Sequence, residues 1–508
     1  MRDMATKKRP LFEYVDALNK KNLVKRCNID QALMNSLINH VTYDSRDVVP
    51  KTLFVCKGLH FNEDYLREAL KHGAVIYISE EKHFLENPDF PYILVHDMRR
   101  TLAELANIYY REIWKSLKLV GITGTKGKST TAYYVKSILD QYLTTQNEPS
   151  SAILSGIFNY DGIINEESHL TTPETFELHH HFQNAVDSGI QYLTMEVSSQ
   201  ALKYHRTEGI CFDVGVFLNI GHDHISDIEH QSYEDYLDSK LRLFSQCDIA
   251  IINIGTQDFN KVMDEAKEKT PRVITFGMEE GADILGYDLV QEETGNSFKV
   301  RSPKYNGEFR VGMKGVFNVE NALAAIGVAH EMGIPMNCVK KGIELARVSG
   351  RMELFYDKTK DIVIIVDYAH NQMSFNRLFE TIQIEYENRP IHIVFGCPGY
   401  KALGRRQELG EIAGKYASMV YITEEDAGEE PLGNISNEIA GFIKIEKTEY
   451  AIIDDREEAI KIAIQNAPEK SVLLITGKGR ETRQKRGTQY IETLSDVEIV
   501  ERILNYER

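Results

Sequence analysis

The chain has 508 residues, which is too long for one hydrophobic core and predicts several domains. Its formal net charge of −17 argues against general binding to nucleic acids or to anionic membranes. No apolar run reaches the about 18 residues that span a membrane, and the six cysteines lack a C-x-x-C pair, so we expect a cytoplasmic protein with free thiols and no signal peptide.

Three segments with different patterns follow one another, and we predict one domain from each: residues 1–112, 113–348 and 349–508. The first combines the strand-like "VTYDSRDVVPKTLFVCKG" with the helix-like "YLREALKHGAVIYI". The second carries the buried-strand runs "LKLVGIT", "QYLTMEV", "DVGVFLNI" and "DIAIINI", and the third carries "DIVIIVDYA", "IHIVFGC", "SMVYITE" and "SVLLITGKG". Apolar strands alternating with helices predict an α/β fold, with a central P-loop-type parallel sheet and a C-terminal Rossmann-like domain.

The stretch "GITGTKGKST" at 121–130 has the glycines, lysine and hydroxyls of a phosphate cradle. A strand run precedes it and a helical pattern follows, which is the order needed to hold phosphate at a helix N-terminus. The strict P-loop spacing would require a glycine where this chain has Ile122. A tight turn without a ligand is the alternative, but G-K-[ST] at a helix start favours a nucleotide.

Polar residues end several of the predicted strands, namely Thr123, Glu196, Asn219, Asp367 and Gly477. Ligands of parallel α/β sheets bind beyond these carboxyl ends. His222, Asp223 and His224 follow shortly after Asn219, and Lys240 lies on a later helix. Taken alone, Glu196 suits a salt bridge as well as a metal, and a single histidine is more often structural. Beside a nucleotide loop a Mg²⁺ site gains weight, because this ion takes oxygen ligands next to phosphates.

The motifs "GTKGKST", "EVSSQAL", "FLNIGHDHIS", "YEDYLDSK", "GVFNVENALAA", "GRMELF", "VDYAH" and "TGKGRE" occur in the order seen in Mur ligases, the ATP-dependent amino-acid ligases of peptidoglycan synthesis. "YDSRDVVPKTLFVCKG" and "LTTPE" resemble the branch that extends UDP-N-acetylmuramoyl-L-alanyl-D-glutamate by the third stem-peptide residue. The resemblance covers nearly the whole chain. It implies that a substrate carboxylate is activated by ATP as an acyl phosphate, which the amine of an amino acid then attacks.

The resemblance also implies a site for ATP and two Mg²⁺ ions. The residues implied in ATP binding are Gly124, Thr125, Lys126, Gly127, Lys128, Ser129, Thr130, Asn318, Asn321, Arg351 and Asp367. The implied catalytic residues are Lys128, Glu196, His224 and Lys240, and the implied metal ligands are Ser129, Glu196, His224 and Lys240. The lysine of the loop would contact the β- and γ-phosphates, and the second ion would bridge the γ-phosphate and the attacking carboxylate. The two asparagines also suit helix capping.

Lys240 stands where Mg²⁺ would repel an ammonium group. In the family this lysine is commonly carbamylated, which converts the cation into an anion, and the resemblance implies a carbamate on Lys240 here. The alternative is an exposed lysine paired with Asp238 or Glu234.

For the UDP-N-acetylmuramoyl-dipeptide the resemblance implies Ser45 at the uridine end. The residues implied at the muramoyl-dipeptide are Thr171, Thr172, Ser198 and Arg206. Without the resemblance, these would be interpreted as ordinary turn and surface residues.

The added amino acid is expected to bind the third domain. Ligases for meso-diaminopimelate usually carry D-N-P-R in a loop where this chain has "TEEDAGEEPL", which contains no arginine to hold a distal carboxylate. We therefore predict L-lysine, with Asp426, Glu425 and Glu481 near its ε-ammonium group and Gly477 beside them. Arg406, or else Lys401 or Arg405, would hold the α-carboxylate. For Glu429 and Glu430 a solvated loop is preferred.

Three other interpretations remain open. The same ligation with meso-diaminopimelate or another diamino acid would need a different carboxylate partner. A folylpolyglutamate-type ligase would share the ATP motifs but not "YDSR" and "LTTPE". A non-catalytic relative should have lost the metal set, which is present. We predict a monomer whose partners are the UDP-dipeptide and a free amino acid.

Overall fold

The computed structural model describes residues 8–58, 61–83, 85–168, 170–221, 225, 229–292, 295–348, 352–400 and 403–505. Within these ranges three main sheets follow one another along the chain. Short 3₁₀ helices lie at Ser45–Asp47, Ile113–Ser116 and Arg242–Gln246. None of the helices described is both long and apolar enough to cross a membrane.

The first sheet has five strands in the order β2-β7-β6-β5-β4 and is parallel except for the pair β2–β7. The strands of this region are β1 Arg9–Pro10, β2 Val24–Asn28, β3 Leu37–Ile38, β4 His40–Thr42, β5 Thr52–Val55, β6 Ala74–Ser79 and β7 Tyr92–Val95. The helices are α1 Leu11–Lys20, α2 Gln31–Met34, α3 Glu63–Lys71 and α4 Met98–Tyr109. Leu53, Ile76 and Ile93 are fully buried in its core.

The central sheet is built from a longer series of elements. Its strands are β8 Lys118–Thr123, β9 Ala152–Leu154, β10 Phe158–Tyr160, β11 Asn165–Glu167, β12 Tyr192–Glu196, β13 Phe212–Phe217, β14 Cys247–Asn253, β15 Arg272–Gly277, β16 Ile284–Glu292, β17 Gly295–Arg301 and β18 Asn306–Val311. The helices are α5 Lys128–Gln146, α6 Thr175–Asp187, α7 Ser199–Lys203, α8 Tyr233–Leu241, α9 Phe259–Lys269, α10 Val316–Glu331 and α11 Met336–Leu345.

Eleven strands form this sheet in the order β11-β10-β9-β12-β8-β13-β14-β15-β16-β17-β18. In this order, the neighbours from β9 through β12, β8, β13, β14 and β15 to β16 are parallel, as predicted. The antiparallel strands β10 and β11 extend one edge and β17 and β18 the other, and these were not predicted. Leu119, Val120 and Ile122 of β8 are fully buried, as expected for a strand covered on both faces. Because Glu196 pairs with Ile122, and Phe217 with Thr123, the polar ends of three neighbouring strands meet at one edge.

The third sheet has the order β19-β20-β24-β21-β22-β23 and is parallel except for β19. The strands are β19 Glu353–Asp357, β20 Ile362–Asp367, β21 Ile391–Phe395, β22 Met419–Ile422, β23 Glu449–Ile452 and β24 Val472–Thr476, followed by the hairpin β25 Arg483–Arg486 and β26 Gln489–Glu492. The helices are α12 Gln372–Glu385, α13 Gly404–Tyr416, α14 Leu432–Glu446, α15 Arg456–Asn466 and α16 Asp496–Ile503. The α/β fold predicted from the sequence is confirmed.

Candidate active site

The glycine loop joins β8 directly to α5, as the sequence pattern predicts. Gly127 lies immediately before the helix with a φ of +85°, a backbone conformation that favours glycine. Asn219, two residues after β13, fixes the loop from the neighbouring strand. Its Oδ1 accepts the Lys126 N–H at 2.8 Å, its Nδ2 donates to the Lys126 carbonyl at 3.1 Å, and its own carbonyl accepts the Thr125 N–H at 3.0 Å. These three hydrogen bonds from Asn219 therefore fix the conformation of the glycine loop.

Two lysine side chains converge on this loop. Lys128 Nζ and Lys240 Nζ each donate a hydrogen bond to the carbonyl oxygen of Gly124, both at 2.9 Å. Lys240 is 1% exposed and its nitrogen lies 4.6 Å from the ring centroid of Tyr236. The alternative of an exposed Lys240 paired with Asp238 is therefore wrong, and Asp238 pairs with Lys261 instead. Lys128 is only partly buried, but the two positive charges lie close together at one carbonyl oxygen, and like charges repel each other.

Oxygen ligands suited to Mg²⁺ lie beside the loop. Glu196 is buried at the end of β12, and its Oε1 accepts the N–H of Gly156 at 2.8 Å. Ser129 stands in the first turn of α5, and its hydroxyl and the Glu196 carboxylate match the preference of this ion for oxygen. In the part of the chain that the structure describes, no cluster of three or more His, Cys, Asp or Glu is arranged for a metal. His224, the predicted ligand of a second ion, lies outside the described residues.

A cavity of about 220 Å³ opens in front of the loop. It is lined by the predicted residues 125–130, Thr171, Glu196, Asn318, Asn321 and Asp367. Asn318 is fully buried and is not a helix cap, because α10 is capped by Gly315. Its Nδ2 donates to the Lys314 carbonyl at 2.6 Å, whereas its Oδ1 has no hydrogen-bond partner among the described residues. A buried amide oxygen without a partner is costly, and the amino group of a base would satisfy it.

The third sheet closes this cavity through Asp367 at the end of β20. Its carboxylate accepts the backbone N–H groups of Met352, at 2.9 Å, and Ala369, at 2.7 Å. Arg377 of α12 lines the same cavity. Arg351, which is also implied in ATP binding, lies outside the described residues.

Gly127→Ala is expected to weaken nucleotide binding about tenfold, because an alanine would be strained at this φ and its Cβ would overlap Oδ1 of Asn321. Titration of a fluorescent ATP analogue measures the effect. Gly281→Ala is the matched control, since it has a φ of +104° with nothing near the added Cβ. Equal affinities for the unaltered protein and the Gly127 variant would contradict the proposed cradle.

The predicted dipeptide residues form a connected group between the first and central sheets. Thr172 Oγ1 donates to the Glu196 carbonyl at 2.9 Å and accepts the Ser198 N–H at 3.0 Å. Arg206 donates to the Thr172 carbonyl at 3.1 Å. Ser45 lies apart from this group, where its hydroxyl donates to Glu68 at 2.6 Å.

Glu174 joins two cations at this junction. It accepts from Lys57 and from Arg206, each at 2.6 Å, and Lys57 also lies over the ring of Tyr43. Burial alone would raise the pKa of the Glu174 carboxyl, but the Lys57 hydrogen bond and the Arg206 charge outweigh it and hold the pKa below its usual value. The two cations and one anion together carry a net charge of +1 when all three are ionised.

A second, larger cavity of about 890 Å³ lies between the central and third sheets. Gly156 lines both cavities, so they are adjacent. Lys478 Nζ pairs here with Asp426 at 3.1 Å and with Glu481 at 2.7 Å. Burial would lower the pKa of Lys478, but the charges of Glu481 and Asp426 outweigh it and raise the pKa. The trio therefore carries a net charge of −1 when all three groups are ionised.

Two protein-family models match this chain and identify its family. The model described as "Mur ligase middle domain" matches residues 122–329, and "Mur ligase, glutamate ligase domain" matches residues 350–479. The chain belongs to the Mur ligase family. It is therefore an ATP-dependent, amide-bond-forming ligase, and the phosphate loop and the two adjacent cavities lie within the matched regions.

Curated relatives of this Mur ligase match along almost their whole length. The chain is 34% identical over 489 residues to the UDP-N-acetylmuramoyl-L-alanyl-D-glutamate–L-lysine ligase of Enterococcus faecalis, covering 94% of this chain and 95% of the relative. It is 35% identical over 472 residues to the corresponding 2,6-diaminopimelate ligase of Caldanaerobacter subterraneus, covering 92% and 95%. A solved structure of a 2,6-diaminopimelate ligase shares the fold with a TM-score of 0.65 at 24% identity, covering 94% and 96%.

Close packing requires a glycine at position 477 of this Mur ligase. Gly477 adopts a φ of +108°, and a Cβ there would overlap the carboxylate of Glu425. Burial raises the pKa of the Glu425 carboxyl to about 7, against the opposing charges of Arg456 and Lys478. A contact between Gly477 or Glu425 and the amino acid stays a prediction.

Arg406 is placed differently from the prediction. It is 2% exposed and pairs with Glu430 through two hydrogen bonds, of 2.7 and 2.9 Å, and with Glu438 at 2.7 Å. The expected solvated state of Glu430 is therefore wrong, because Arg406 holds its carboxylate. Both acids that pair with the Arg406 guanidinium are therefore supplied by the chain itself. Of the two alternatives for holding the α-carboxylate of the amino acid, Lys401 lies outside the described residues, and the half-buried Arg405 stays a prediction.

Several residues that the sequence did not single out line the site. Lys478 lies inside "TGKGRE", so it carried a signal that was not used. Arg377 and Arg483 carried none, because the elements that bring them to the cavities are distant in sequence. Lys57 carried none either, because its partner Glu174 is remote in sequence.

Proposed function

We propose that this Mur ligase adds L-lysine to UDP-N-acetylmuramoyl-L-alanyl-D-glutamate. In the first step an oxygen of the substrate carboxylate attacks the γ-phosphorus of ATP, the bond to the β-phosphate oxygen breaks, and an acyl phosphate and ADP form. In the second step the neutral amine attacks the acyl carbon, inorganic phosphate leaves and the nitrogen loses a proton. An amide bond remains.

The adjacency of the two cavities at Gly156 supports this sequence most directly. The nucleotide cavity contains the phosphate loop and Glu196, whose carboxylate bonds to the Gly156 N–H. The larger cavity begins at the same glycine and leads to the Lys478 trio. An acyl phosphate formed in the first cavity would therefore be accessible to an amine in the second. Positioning of this kind supplies a large part of the catalysis in ligations of two bound substrates.

Mg²⁺ fits the oxygen ligands beside the loop, and Ser129 and Glu196 would hold it. When bound, the ion would neutralise the negative charge of the phosphates that the carboxylate must approach. Lys128 contributes a second positive charge at the same phosphates from the start of α5.

A carbamate on Lys240 removes the repulsion between the two lysines. The neutral Nζ forms a bond to the carbon of CO₂ and releases one proton, which leaves an anion in place of a cation. The remaining N–H can still donate to the Gly124 carbonyl. The anion then attracts Lys128, and it is available to the metal that Ser129 and Glu196 would hold.

The junction of Lys57, Glu174 and Arg206 suits an anionic part of the UDP-linked substrate. We propose that Thr171, Thr172, Ser198 and Arg206 bind the muramoyl-dipeptide, and that Ser45 lies nearer the uridine. The net charge of +1 on Lys57, Glu174 and Arg206, together with the hydrogen bond from Arg206 to the Thr172 carbonyl, supports this arrangement.

The choice of lysine rests on the charges of one trio of side chains in the larger cavity. The relatives include both lysine-adding and diaminopimelate-adding ligases at similar identity, so their names do not decide. The trio of Lys478, Asp426 and Glu481 has one negative charge in excess, which favours an ε-ammonium group over a second carboxylate.

The domain boundaries remain part of the proposal: residues 1–112 for the UDP-sugar, 113–348 for ATP and 349–508 for the amino acid. The sheets at 24–95, 118–311 and 353–476 fall within these ranges. We also propose a cytoplasmic monomer, and the six free thiols suit a reducing compartment.

ATP turnover is expected to require both the UDP-dipeptide and an amino acid. ADP release is measured with each substrate omitted in turn and with several amino acids, and product masses are recorded. Folate with glutamate is tested in parallel for the folylpolyglutamate-type alternative. Steady ATP hydrolysis that ignores the dipeptide would contradict the proposed function.

A further inference from the structure

The hairpin β25–β26 forms one wall of the larger cavity. Its backbone is joined to the 426–428 loop by three hydrogen bonds: Lys485 N–H to Asp426 at 2.8 Å, Gly428 N–H to the Lys485 carbonyl at 3.1 Å, and Gly487 N–H to the Gly428 carbonyl at 2.8 Å. Arg483 and Tyr490 of the hairpin line the cavity together with Asp426 and Glu481. The hairpin therefore brings an arginine to a loop whose own sequence has none.

Three cations line this cavity, and they are in different electrostatic states. Lys478 is neutralised by Asp426 and Glu481, and Arg480 forms a two-point pair with Glu353 at 2.6 and 2.7 Å. Arg483 is half-buried, and its guanidinium lies 5.6 Å from the ring centroid of Tyr490. Among the residues described, no carboxylate lies within ion-pair distance of Arg483. Its charge is thus available to a ligand, whereas those of its neighbours are already paired.

We propose that Arg483 binds the α-carboxylate of the incoming amino acid, the role predicted for Arg406. This inference builds on the proposed function. Guanidinium and carboxylate groups form strong paired hydrogen bonds, and the Tyr490 ring limits where the guanidinium can turn. One available cation and one excess negative charge in the trio match an amino acid with a single carboxylate and a second ammonium group. The hairpin therefore acts as the carboxylate receptor of the amino-acid cavity.

The test compares L-lysine with cadaverine, which is lysine without its carboxylate. Arg483→Gln is expected to lower kcat/KM for L-lysine about tenfold, mainly through KM, and to leave kcat/KM for cadaverine unchanged. Arg483→Lys should retain part of the lysine activity. Arg486→Gln is the matched control, because Arg486 is on the same hairpin but pairs with Glu424.

Equal losses for lysine and cadaverine would assign Arg483 a structural role and overturn the inference. A raised KM for the UDP-dipeptide with an unchanged KM for lysine would overturn it as well, as would a loss confined to the distal carboxylate of meso-diaminopimelate. If the unaltered enzyme prefers another amino acid, the same comparison is made with that amino acid and its decarboxylated form. A result that contradicts the proposed substrate can therefore be distinguished from one that contradicts the role of Arg483.

Discussion

Lys240→Ala is expected to lower kcat by at least about a hundredfold, which is the usual effect of removing one electrostatic group from a reacting centre. Lys240 is buried, contacts the Gly124 carbonyl of the phosphate loop, and shares that oxygen with Lys128. As a carbamate it would supply the negative charge that a metal beside the γ-phosphate requires. Initial rates of ADP formation at saturating substrates measure the change.

Chemical rescue separates a missing anion from a damaged fold. Short carboxylates such as formate and acetate should restore part of the activity of Lys240→Ala, since they can occupy the space that the carbamate leaves. The unaltered enzyme should also lose activity in CO₂-depleted buffer and regain it with bicarbonate. Lys261→Ala is the matched control, because Lys261 is an exposed lysine that pairs with Asp238. Its activity should remain close to that of the unaltered enzyme.

Two results would contradict the carbamate. Normal turnover by a folded Lys240→Ala variant would remove this lysine from the mechanism. Insensitivity to CO₂, together with a complete lack of rescue in a variant whose melting temperature is unchanged, would leave Lys240 acting as an ammonium group. Thermal melting is therefore measured beside every assay.

L-lysine is expected to exceed meso-diaminopimelate in kcat/KM by about tenfold to a hundredfold. The two amino acids differ at the far end of the side chain, where diaminopimelate carries an additional carboxylate. Leaving that group buried without a partner costs roughly 1–3 kcal/mol. The net negative trio of Lys478, Asp426 and Glu481 repels it further, while it attracts an ε-ammonium group. Ornithine, shorter by one methylene, is the closest competitor.

The selectivity is tested by changing the trio. Asp426→Asn makes its net charge zero, so the preference for lysine should fall about tenfold with little change in ATP affinity. Glu429→Gln is the control, because Glu429 is an exposed acid of the same loop. Replacing Ala427 with arginine, a natural choice from the sequence alone, is unsuitable, since Ala427 is buried in the core of the third sheet. Equal or better turnover of meso-diaminopimelate by the unaltered enzyme would contradict the lysine assignment. The assignment to the Mur ligase family would be unaffected.

Local sequence was sufficient for the phosphate-binding end of the site. A strand, a glycine loop and a helix start are each short-range features, and the loop at 124–127 lies between β8 and α5 as predicted. The polar ends of β8, β12 and β13 meet because parallel neighbours end at the same edge of a sheet. The hydrophobic periodicity of the sequence and the glycines of the loop thus determined the fold class and the general position of the site.

Tertiary structure decided which charges remain for ligands. Arg406 and Arg483 are both arginines in the third segment, and nothing in their local sequence separates them. Folding brings Glu430 and Glu438 to Arg406, whereas the hairpin carries Arg483 into the larger cavity. Ion pairing depends on distances of a few ångströms between residues that are remote in sequence. A sequence therefore shows that a charge exists, but only the folded chain determines whether that charge is already neutralised.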